Sequence, residues 1–305
     1  MGDVIKNRYE FVVFFDVTNG NPNGDPDAGN MPRVDAETGT GLVTDVCLKR
    51  KIRNYVEMLK DMDDHYRIYI KQGVPLNRSD NEAFATVGIE NASEDKKLKD
   101  RVKEARKKKN PDLDMFIREY MCSHFYDIRT FGAVMTTMVK GALNCGQIRG
   151  PVQLGFSRSV DPIVPQEVSI TRVAITTESD AENKSTEMGT KYIVPYGLYR
   201  CEGYVSAALA QKVTGFSEDD LELLWTAILN MFEEDRSAAR GQMAVHKLVI
   251  FKHESMFGNA PSHKLFELVK AEKNNGVDVP RSYADYTVTV DLNKLPEGVS
   301  CEQRE

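Results

Sequence analysis

A long apolar run close to the N-terminus is the first structural signal in the chain. It spans residues 8–17 around Val12, and a run of this length bounded by polar residues is typical of a central β-strand buried on both faces. A helical pattern follows over residues 44–60, where apolar positions recur at intervals of three and four. Thr44 or Asp45 can cap its first turn, because both side chains accept hydrogen bonds from free helix amides. The expected buried face comprises Leu48, Ile52, Tyr55, Val56 and Leu59.

Weaker patterns predict the other elements of an α+β fold. We expect residues 61–125 to form a helical insertion, with a short strand near 66–70 and helices near 81–90, 94–109 and 113–124. Alternating segments predict strands at 127–131, 152–157, 168–177, 191–199, 203–209, 244–251 and 286–292. A capping signal at Ser217 predicts a helix that ends near residue 232, and a short helix is expected at 263–272.

The order of these elements, without the insertion and the long hairpin, is strand, helix, strand, strand, helix, strand. This is the ferredoxin-like βαββαβ arrangement, which RNA-recognition motifs (RRM) also have. The aromatic signature with which those motifs stack RNA bases on their sheet is absent. We therefore expect one modified RRM-like domain over residues 1–305, in which residues 160–199 form a long β-hairpin with a polar tip at Ser179–Gly189.

Composition predicts a cytoplasmic protein without a membrane partner. Apolar residues make up 41% of the 305 positions and charged residues 28%, which suits a globular domain with an ordinary polar surface. No segment approaches the roughly 18 consecutive apolar residues of a membrane span, and the N-terminus lacks the apolar region of a signal peptide. The five cysteines are scattered and odd in number, which favours reduced thiols over a disulfide framework.

The net charge of −6 is unusual for a protein that binds nucleic acid, but the charge is segregated along the chain. Residues 96–109 contain nine Lys and Arg against two acidic residues, whereas residues 178–187 and 217–235 are acidic. A phosphate backbone responds to local charge within a Debye length, so a local basic surface is sufficient for binding. Whether the 96–109 run contacts nucleic acid or is a solvated helix face stays open at this point.

The loop between the first strand and the first helix is the strongest candidate site. It is rich in Asn and Gly, exceeds the usual length of a connection, and leads into a helix start that carries several basic residues. Loop amides, a helix N-terminus and basic side chains together form a phosphate-binding surface. The alternative is that these basic residues are only the solvated side of an amphipathic helix. The candidate contacts here are Asn21, Asn23, Arg33, Thr44, Lys49, Arg50 and Arg53.

A second group of candidates lies farther along the chain. Gln147 and Arg149 stand between Gly146 and Gly150, where the absence of a side chain lets the backbone approach a ligand closely. A structural turn explains the same glycines equally well. Arg158 belongs to this group, and residues 235–242 form a similar glycine turn after a helix, which makes them a weaker candidate.

No pattern in the chain predicts a metal, a cofactor or a catalytic centre. The Asn19–Asn30 loop has the length of a calcium loop, but it has Asn30 where a bidentate Glu is needed, and a strand precedes it. The Cys122-Ser123-His124 segment has no second ligand pair at metal spacing. We therefore expect no cofactor and no enzymatic activity.

Several long segments resemble the backbone subunit of CRISPR Cascade complexes, in the type I-C group of the Cas7 family and the RAMP superfamily. The resemblance extends over nearly the whole chain. It is carried by Asn21–Pro26, Pro32–Gly39, Gly41–Arg53, Asp127–Met135, Gly146–Gln153 and Ser157–Ile163.

The resemblance implies a guide-RNA-binding subunit that polymerises along the RNA and presents it for pairing with a target DNA strand. It implies a palm with the βαββαβ topology, fingers formed by the insertion, and a thumb formed by the hairpin, which reaches an adjacent copy. The partners would be the crRNA, further copies of the chain, other type I-C Cascade subunits and, indirectly, a recruited helicase-nuclease.

Two other functions remain open from the sequence. Type III relatives cut target RNA with an aspartate in the loop after the first strand, so the chain could be a RAMP endoribonuclease that uses Asp25, Asp27 or Asp35. Asp25 lies in a turn-forming context, and an Asx turn accounts for it without catalysis. The third function is a generic sugar-phosphate or nucleotide binder, which the length of the resemblance disfavours.

Overall fold

The computed structural model describes residues 2–108, 112–181 and 186–305. Lys109, at the end of the basic run, and residues 182–185, in the expected hairpin tip, lie outside these ranges. The strands are β1 (Tyr9–Gly20), β2 (Gly24–Asp25), β3 (Met31–Pro32), β4 (Thr40–Val43), β5 (Gly132–Val134), β6 (Gln147–Arg149), β7 (Val152–Leu154), β8 (Ser157–Pro162), β9 (Gln166–Arg172), β10 (Glu187–Val205), β11 (Gln242–His253), β12 (Val269–Lys273), β13 (Tyr286–Val290) and β14 (Val299–Arg304).

Along the chain, the helices mostly connect successive strands. They are α1 (Asp45–Leu59), α2 (Leu76–Thr86), α3 (Leu98–Lys108), α4 (Leu113–His124), α5 (Tyr126–Phe131), α6 (Thr136–Lys140), α7 (Glu178–Ala181), α8 (Ala207–Leu209), α9 (Glu218–Asn230) and α10 (Ser262–Phe266). A π-helical turn, Ala210–Thr214, follows α8.

A large antiparallel sheet with the order β14-β11-β1-β10-β8-β4 is the centre of the fold. Strand β1 pairs along its length with β10 on one side and β11 on the other. Its apolar residues alternate between the two faces, which explains the uninterrupted apolar run in the sequence. Phe11, Val13 and Phe15 face a core that α1 and α9 cover, whereas Val12 and Phe14 face a core built with α10, β12 and β13.

A separate apolar core lies in the region after α1. It draws on residues 69–148 and includes Phe84, Ile117, Phe125, Met138 and Ile148, all of which are buried. The helical insertion predicted for residues 61–125 therefore shares its core with residues up to 148. Among the residues that the structure describes, no helix is long and apolar enough to cross a membrane.

Helices α1 and α9, which cover one face of the large sheet, begin where their capping residues predict. Thr44 precedes α1, and its hydroxyl accepts a hydrogen bond from the Cys47 amide at 3.3 Å. Ser217 and Asp220 form a reciprocal capping box at the start of α9, as the Ser217 signal indicates. On α1, Leu48, Ile52 and Val56 are buried as predicted, while Leu59 is 52% exposed.

Several predicted elements are different in the structure. The strand expected at 127–131 is helix α5, all six residues of which are buried, so no alternation of exposed and buried positions exists there. Residues 66–70 form no strand; a single bridge joins Arg67 to Phe125. The strands expected at 191–199 and 203–209 are one strand, β10, which ends at Val205, and residues 207–209 form helix α8 instead. The helix expected at 263–272 is α10 followed by β12. Strand β14 has no counterpart in the prediction.

The predicted long hairpin is present as a two-stranded ribbon. The first residues of β10 pair with β9 from Glu187 to Ile193, and the same strand then continues into the central sheet. All seven residues of β9 are exposed, including Val168 and Ile170. The ribbon therefore presents apolar side chains that the described part of the chain covers only in part.

Candidate nucleic-acid interface

An open cleft of about 440 Å³ lies at the N-terminal end of α1. Three segments enclose it: the loop after β1, the first turns of α1, and the loop between α9 and β11. The antiparallel pairing of β1 with β11 brings the first and third segments together, since Thr18 lies opposite Gln242. The lining residues are Asn21, Pro22, Asn23, Gly24, Asn30, Thr44, Val46, Cys47, Arg50, Lys51, Asn54, Asp235, Ser237, Ala239 and Arg240.

Asparagine side chains fasten the first loop to the helix start. The Asn23 Oδ1 atom accepts hydrogen bonds from the Thr44 amide at 3.0 Å and from its hydroxyl at 2.9 Å. The Asn21 side chain donates to the carbonyl of Asn30 at 2.7 Å, which closes the loop on itself. Its Oδ1 atom is buried and has no hydrogen-bond partner among the described residues. The loop is thus a built structure at the wall of the cleft.

Two glycines allow the first and third segments to approach each other. A Cβ atom on Gly20 would lie 1.7 Å from the carbonyl oxygen of Arg240, a distance that no side chain tolerates. Gly241 has a φ of +64°, and a Cβ atom there would lie 2.4 Å from the Thr18 carbonyl oxygen. The backbones are fastened by a hydrogen bond of 2.9 Å from the Asn21 amide to the Ala239 carbonyl.

The cleft carries more positive than negative charge. Lys51 is only 2% exposed and pairs with Asp235, which also pairs with Arg240 at 3.0 Å. Burial lowers the pKa of Lys51, and the hydrogen bond with Asp235 opposes this shift. Arg50 is exposed and donates to Gln72. Three cationic side chains therefore line the cleft against one carboxylate, which favours an anionic ligand.

Lys49 and Arg53, four residues apart on α1, lie side by side but outside the lining of the cleft. The two cations are 5.6 Å and 5.3 Å from the centre of the Phe131 ring. Lys49 pairs with Asp45 at 2.9 Å. Arg53 is only 7% exposed, and its guanidinium pairs with the buried carboxylate of Asp127 at 2.7 Å. The expectation that Arg53 projects from the solvated side of the helix is therefore corrected: its charge is enclosed in the protein.

The arginines at positions 33 and 158 are each paired with a loop aspartate. Arg33 contacts Asp25 at 3.3 Å, and Arg158 contacts Asp35 at 2.9 Å while remaining 58% exposed. The hydrogen bond from Arg158 lowers the pKa of the Asp35 carboxyl. Asp25 also accepts a hydrogen bond from the amide two residues later, the Asx geometry that its sequence context predicts. Neither arginine lines the cleft.

Gln147 and Arg149 are exposed on β6, which pairs with β5. Arg149 lies opposite Gly132, whose φ is +77°. A Cβ atom on Gly150 would lie 2.3 Å from the Gly132 amide, so these glycines serve a close approach of two backbone segments. Neither polar side chain makes a hydrogen bond or ion pair within the described ranges. This is the structural turn that the sequence left open, and it holds both side chains at the surface.

Four of the ten candidates thus meet in the cleft: Asn21, Asn23, Thr44 and Arg50. The sequence reasoning missed Lys51 and Asn54 as cleft residues, whereas Arg240 lies in the candidate segment 235–242. Residues 235–242 were the weaker candidate, and the glycine at position 241 was the signal that marks their approach to the first loop. RNA contact at any of these residues stays a prediction.

The chain is similar to several known proteins. A protein of Haloferax volcanii described as "CRISPR-associated protein Cas7" is 26% identical over 311 residues, which cover 95% of this chain and 82% of that protein. Two solved structures, "CRISPR RNA-guided surveillance complex, pre-nicking" and "CRISPR RNA-guided surveillance complex", are similar over 80% of this chain, with TM-scores of 0.47 and 0.45. The sequences of these two chains are 14% and 13% identical to this one, and the matched regions cover 78% of the first chain and 68% of the second. The family model for CRISPR-associated protein Cas7 matches residues 7–291, and the chain therefore belongs to the Cas7 family.

Proposed function

We propose that this chain is a crRNA-binding backbone subunit that oligomerises along the guide RNA in a type I-C Cascade surveillance complex. In that complex it presents the guide for pairing with a target DNA strand. Membership of the Cas7 family and the cationic cleft at the start of α1 support this function. The proposed partners are the crRNA, the target DNA strand, further copies of the chain and the other type I-C subunits. A helicase-nuclease would be recruited indirectly, in the cytoplasm.

The cleft is the observation that carries the proposal. Arg50, Lys51 and Arg240 supply positive charge, and the N-terminus of α1, the positive end of the helix dipole, lies at the same opening. Such groups recognise phosphate and carry no information about base identity. A subunit that must accept any guide sequence needs this kind of contact.

The strand order supports the palm of the proposed subunit. In the large sheet β11, β1, β10 and β8 are consecutive. Along the chain β1 is the first of these four core strands, β8 the second, β10 the third and β11 the fourth, so their order across the sheet is 4-1-3-2. With α1 and α9 on one face, this is the arrangement of a ferredoxin-like palm. The region with its own core between residues 69 and 148 would be the fingers, and the β9–β10 ribbon the thumb.

The ribbon is the proposed contact with an adjacent copy. Val168 and Ile170 are 38% and 41% exposed on β9, and Met188 on β10 is 77% exposed. Apolar side chains on a two-stranded ribbon gain free energy when another surface covers them. An adjacent copy on the same RNA supplies that surface once per subunit.

We propose further that the subunit is not a nuclease. The alternative, a RAMP endoribonuclease, would need a free aspartate in the loop after β1. Two of its three candidates are engaged: Asp25 pairs with Arg33, and Asp35 pairs with Arg158. Asp27 is exposed in a short 3₁₀ turn. Within the described residues, no histidine or lysine side chain forms a hydrogen bond or ion pair with it that would supply a general acid or base.

Assembly on RNA of graded length tests the proposal. Purified protein is mixed with unrelated RNAs of increasing length, and the mass of each complex is measured by native mass spectrometry. A backbone subunit gives complexes that grow by whole copies with RNA length and do not depend on sequence. A single stoichiometry at every length, or binding that requires one sequence, contradicts it.

A further inference from the structure

We propose a second anion-binding site, for a phosphate group, between α4 and the π-helical turn. A cavity of about 360 Å³ lies there, remote from the cleft. The turn precedes α9 and the cleft loop follows it, so the two sites stand at opposite ends of a 13-residue helix, or about 20 Å apart at ~1.5 Å per residue. The residues that matter are Arg118, Glu119, Cys122, Lys212 and Thr214.

The cavity has cations that the protein itself leaves uncompensated. Arg118 on α4 is half-buried and Lys212 on the π-helical turn is exposed. Neither has a hydrogen-bond or ion-pair partner for its side chain within residues 2–108, 112–181 and 186–305. Among the described residues, Glu119 is the single carboxylate that lines the cavity, and its side chain is exposed. The two cations exceed this one anion, so the site attracts a negatively charged ligand.

The remaining charged or ionisable groups at the site do not neutralise these cations. Arg129 lies behind the cavity, but both its terminal nitrogens and its Nε atom are engaged, by Asp220 at 2.8 and 2.9 Å and by the Cys122 carbonyl at 2.7 Å. Its charge is therefore balanced by Asp220. Burial raises the pKa of the Cys122 thiol to about 12, so the thiol stays neutral at physiological pH.

A buried hydroxyl adds a neutral donor to the same wall. Thr214 is only 4% exposed and lines the cavity, and its hydroxyl has no hydrogen-bond partner in the described part of the chain. An unpaired buried hydroxyl is unfavourable and is uncommon in native structures. Rotation about the Cα–Cβ bond exchanges the hydroxyl with the methyl group of similar size. A bound phosphate oxygen gives this hydroxyl an acceptor.

The π-helical turn explains why these groups face one opening. The amide of Gly215 donates to the carbonyl of Ala210 at 2.8 Å, five residues back, and Gly215 has a φ of +74°. The wider turn displaces Lys212 and Thr214 from the positions that an α-helix would give them. π-helical turns are rare in proteins overall, and those that occur are often found at functional sites. A phosphate matches the site because a guanidinium, an ammonium and a hydroxyl all donate to its oxygens.

Titration of the full chain with sodium phosphate tests the site. Binding is measured by calorimetry against sodium chloride of equal ionic strength, and the Gly215 amide resonance reports whether the phosphate lies here or in the cleft. Each charge-assisted hydrogen bond contributes enough that R118A or K212A weakens binding roughly tenfold or more. T214V weakens it as well, while T214S, which retains the donor, keeps it. Lys264, an exposed lysine on α10, provides the matched control K264A.

The source of the phosphate group is distinguished by competition. If the site takes free phosphate, a short oligouridylate leaves the bound phosphate in place; if it takes a nucleic-acid backbone, the oligouridylate displaces it. Both results support the site. Absence of a Gly215 shift with wild-type protein overturns it, as do R118A and K212A proteins that bind phosphate as tightly as K264A. These outcomes are independent of RNA binding in the cleft.

Discussion

Replacing Arg53 by Ala will destabilise the protein far more than the same change at Lys49. The Arg53 guanidinium and the Asp127 carboxylate are 2.7 Å apart, and they are 7% and 1% exposed. Asp127 also accepts hydrogen bonds from the amides of Tyr69 at 2.8 Å and Ile70 at 3.1 Å, so it connects α1 to the start of the second apolar core. Without Arg53 this carboxylate keeps the two amides and loses its counter-charge.

The expected cost follows from this geometry. Removing one partner of a buried ion pair costs about 3–5 kcal/mol, because it leaves an uncompensated charge inside the protein. The Lys49–Asp45 pair is four residues apart on one helix, and its two side chains are 13% and 23% exposed. A pair of that kind contributes about 0.3–0.5 kcal/mol.

Urea unfolding of the two single variants and of R53A/D127A, followed by circular dichroism, measures the difference. The double variant will recover part of the loss, because the uncompensated charge is gone, but the two amides remain without their acceptor. If R53A unfolds at the same urea concentration as K49A, the Arg53 side chain does not stabilise the fold through a buried ion pair. The reasoning that excludes it from the RNA surface is then wrong.

Three further results are expected. Burial of the Glu10 carboxyl opposes ionisation, but hydrogen bonds from His253, Ser262 and Arg8 prevail and lower its pKa below 4.5. The stability that the ionised Glu10 carboxylate contributes is therefore present above pH 4.5 and is lost as the pH falls through the folded-state pKa. We expect E10Q to show a shallower decline in melting temperature below pH 4.5 than the wild-type protein, and an equally steep decline contradicts this. Val168 and Ile170 alternate with Ser169 and Thr171 on β9. The V168E/I170E variant will therefore leave the monomer folded but prevent assembly on RNA, whereas S169E/T171E will assemble. Equal assembly of the two variants refutes the ribbon contact. Assembled protein and guide RNA will leave a labelled complementary RNA intact with magnesium or manganese; cleavage at regular intervals that D25A or D35A abolishes would establish the endoribonuclease instead.

Local patterns were sufficient for the elements whose burial is decided locally. The apolar run at β1, the periodic face of α1 and the capping residues of α9 are all visible within a few turns of sequence. Helix α5 was predicted as a strand because its alternating apolar and polar residues fit a half-buried strand. In the structure its polar members are buried too, with Arg129 paired to Asp220, which lies 91 residues away. No local window contains that partner.

The same limitation applies to the site. The alternative that the basic residues of α1 are its solvated side would leave Lys51 and Arg53 in water. The structure buries both, because Asp235 and Asp127 pair with them from distant segments. The loop after β1 could be identified from its composition and length. Its other wall, around Arg240, depends on the pairing of β1 with β11, which the sequence does not reveal without the sheet order.

The salt dependence of RNA binding tests the cleft most directly. Wild-type protein and R50A/R240A are compared on single-stranded RNAs of unrelated sequence, with R236A/R281A as a control of equal charge change; Arg236 lies in the same loop and is 77% exposed, beside Glu233. Each phosphate contact on a single strand contributes about 0.7 to the slope of log affinity against log salt, so losing two flattens it by roughly 1.4 for every sequence. A folded R50A/R240A protein with the wild-type slope, or a control that flattens as much, would contradict the assignment of the cleft to RNA phosphates.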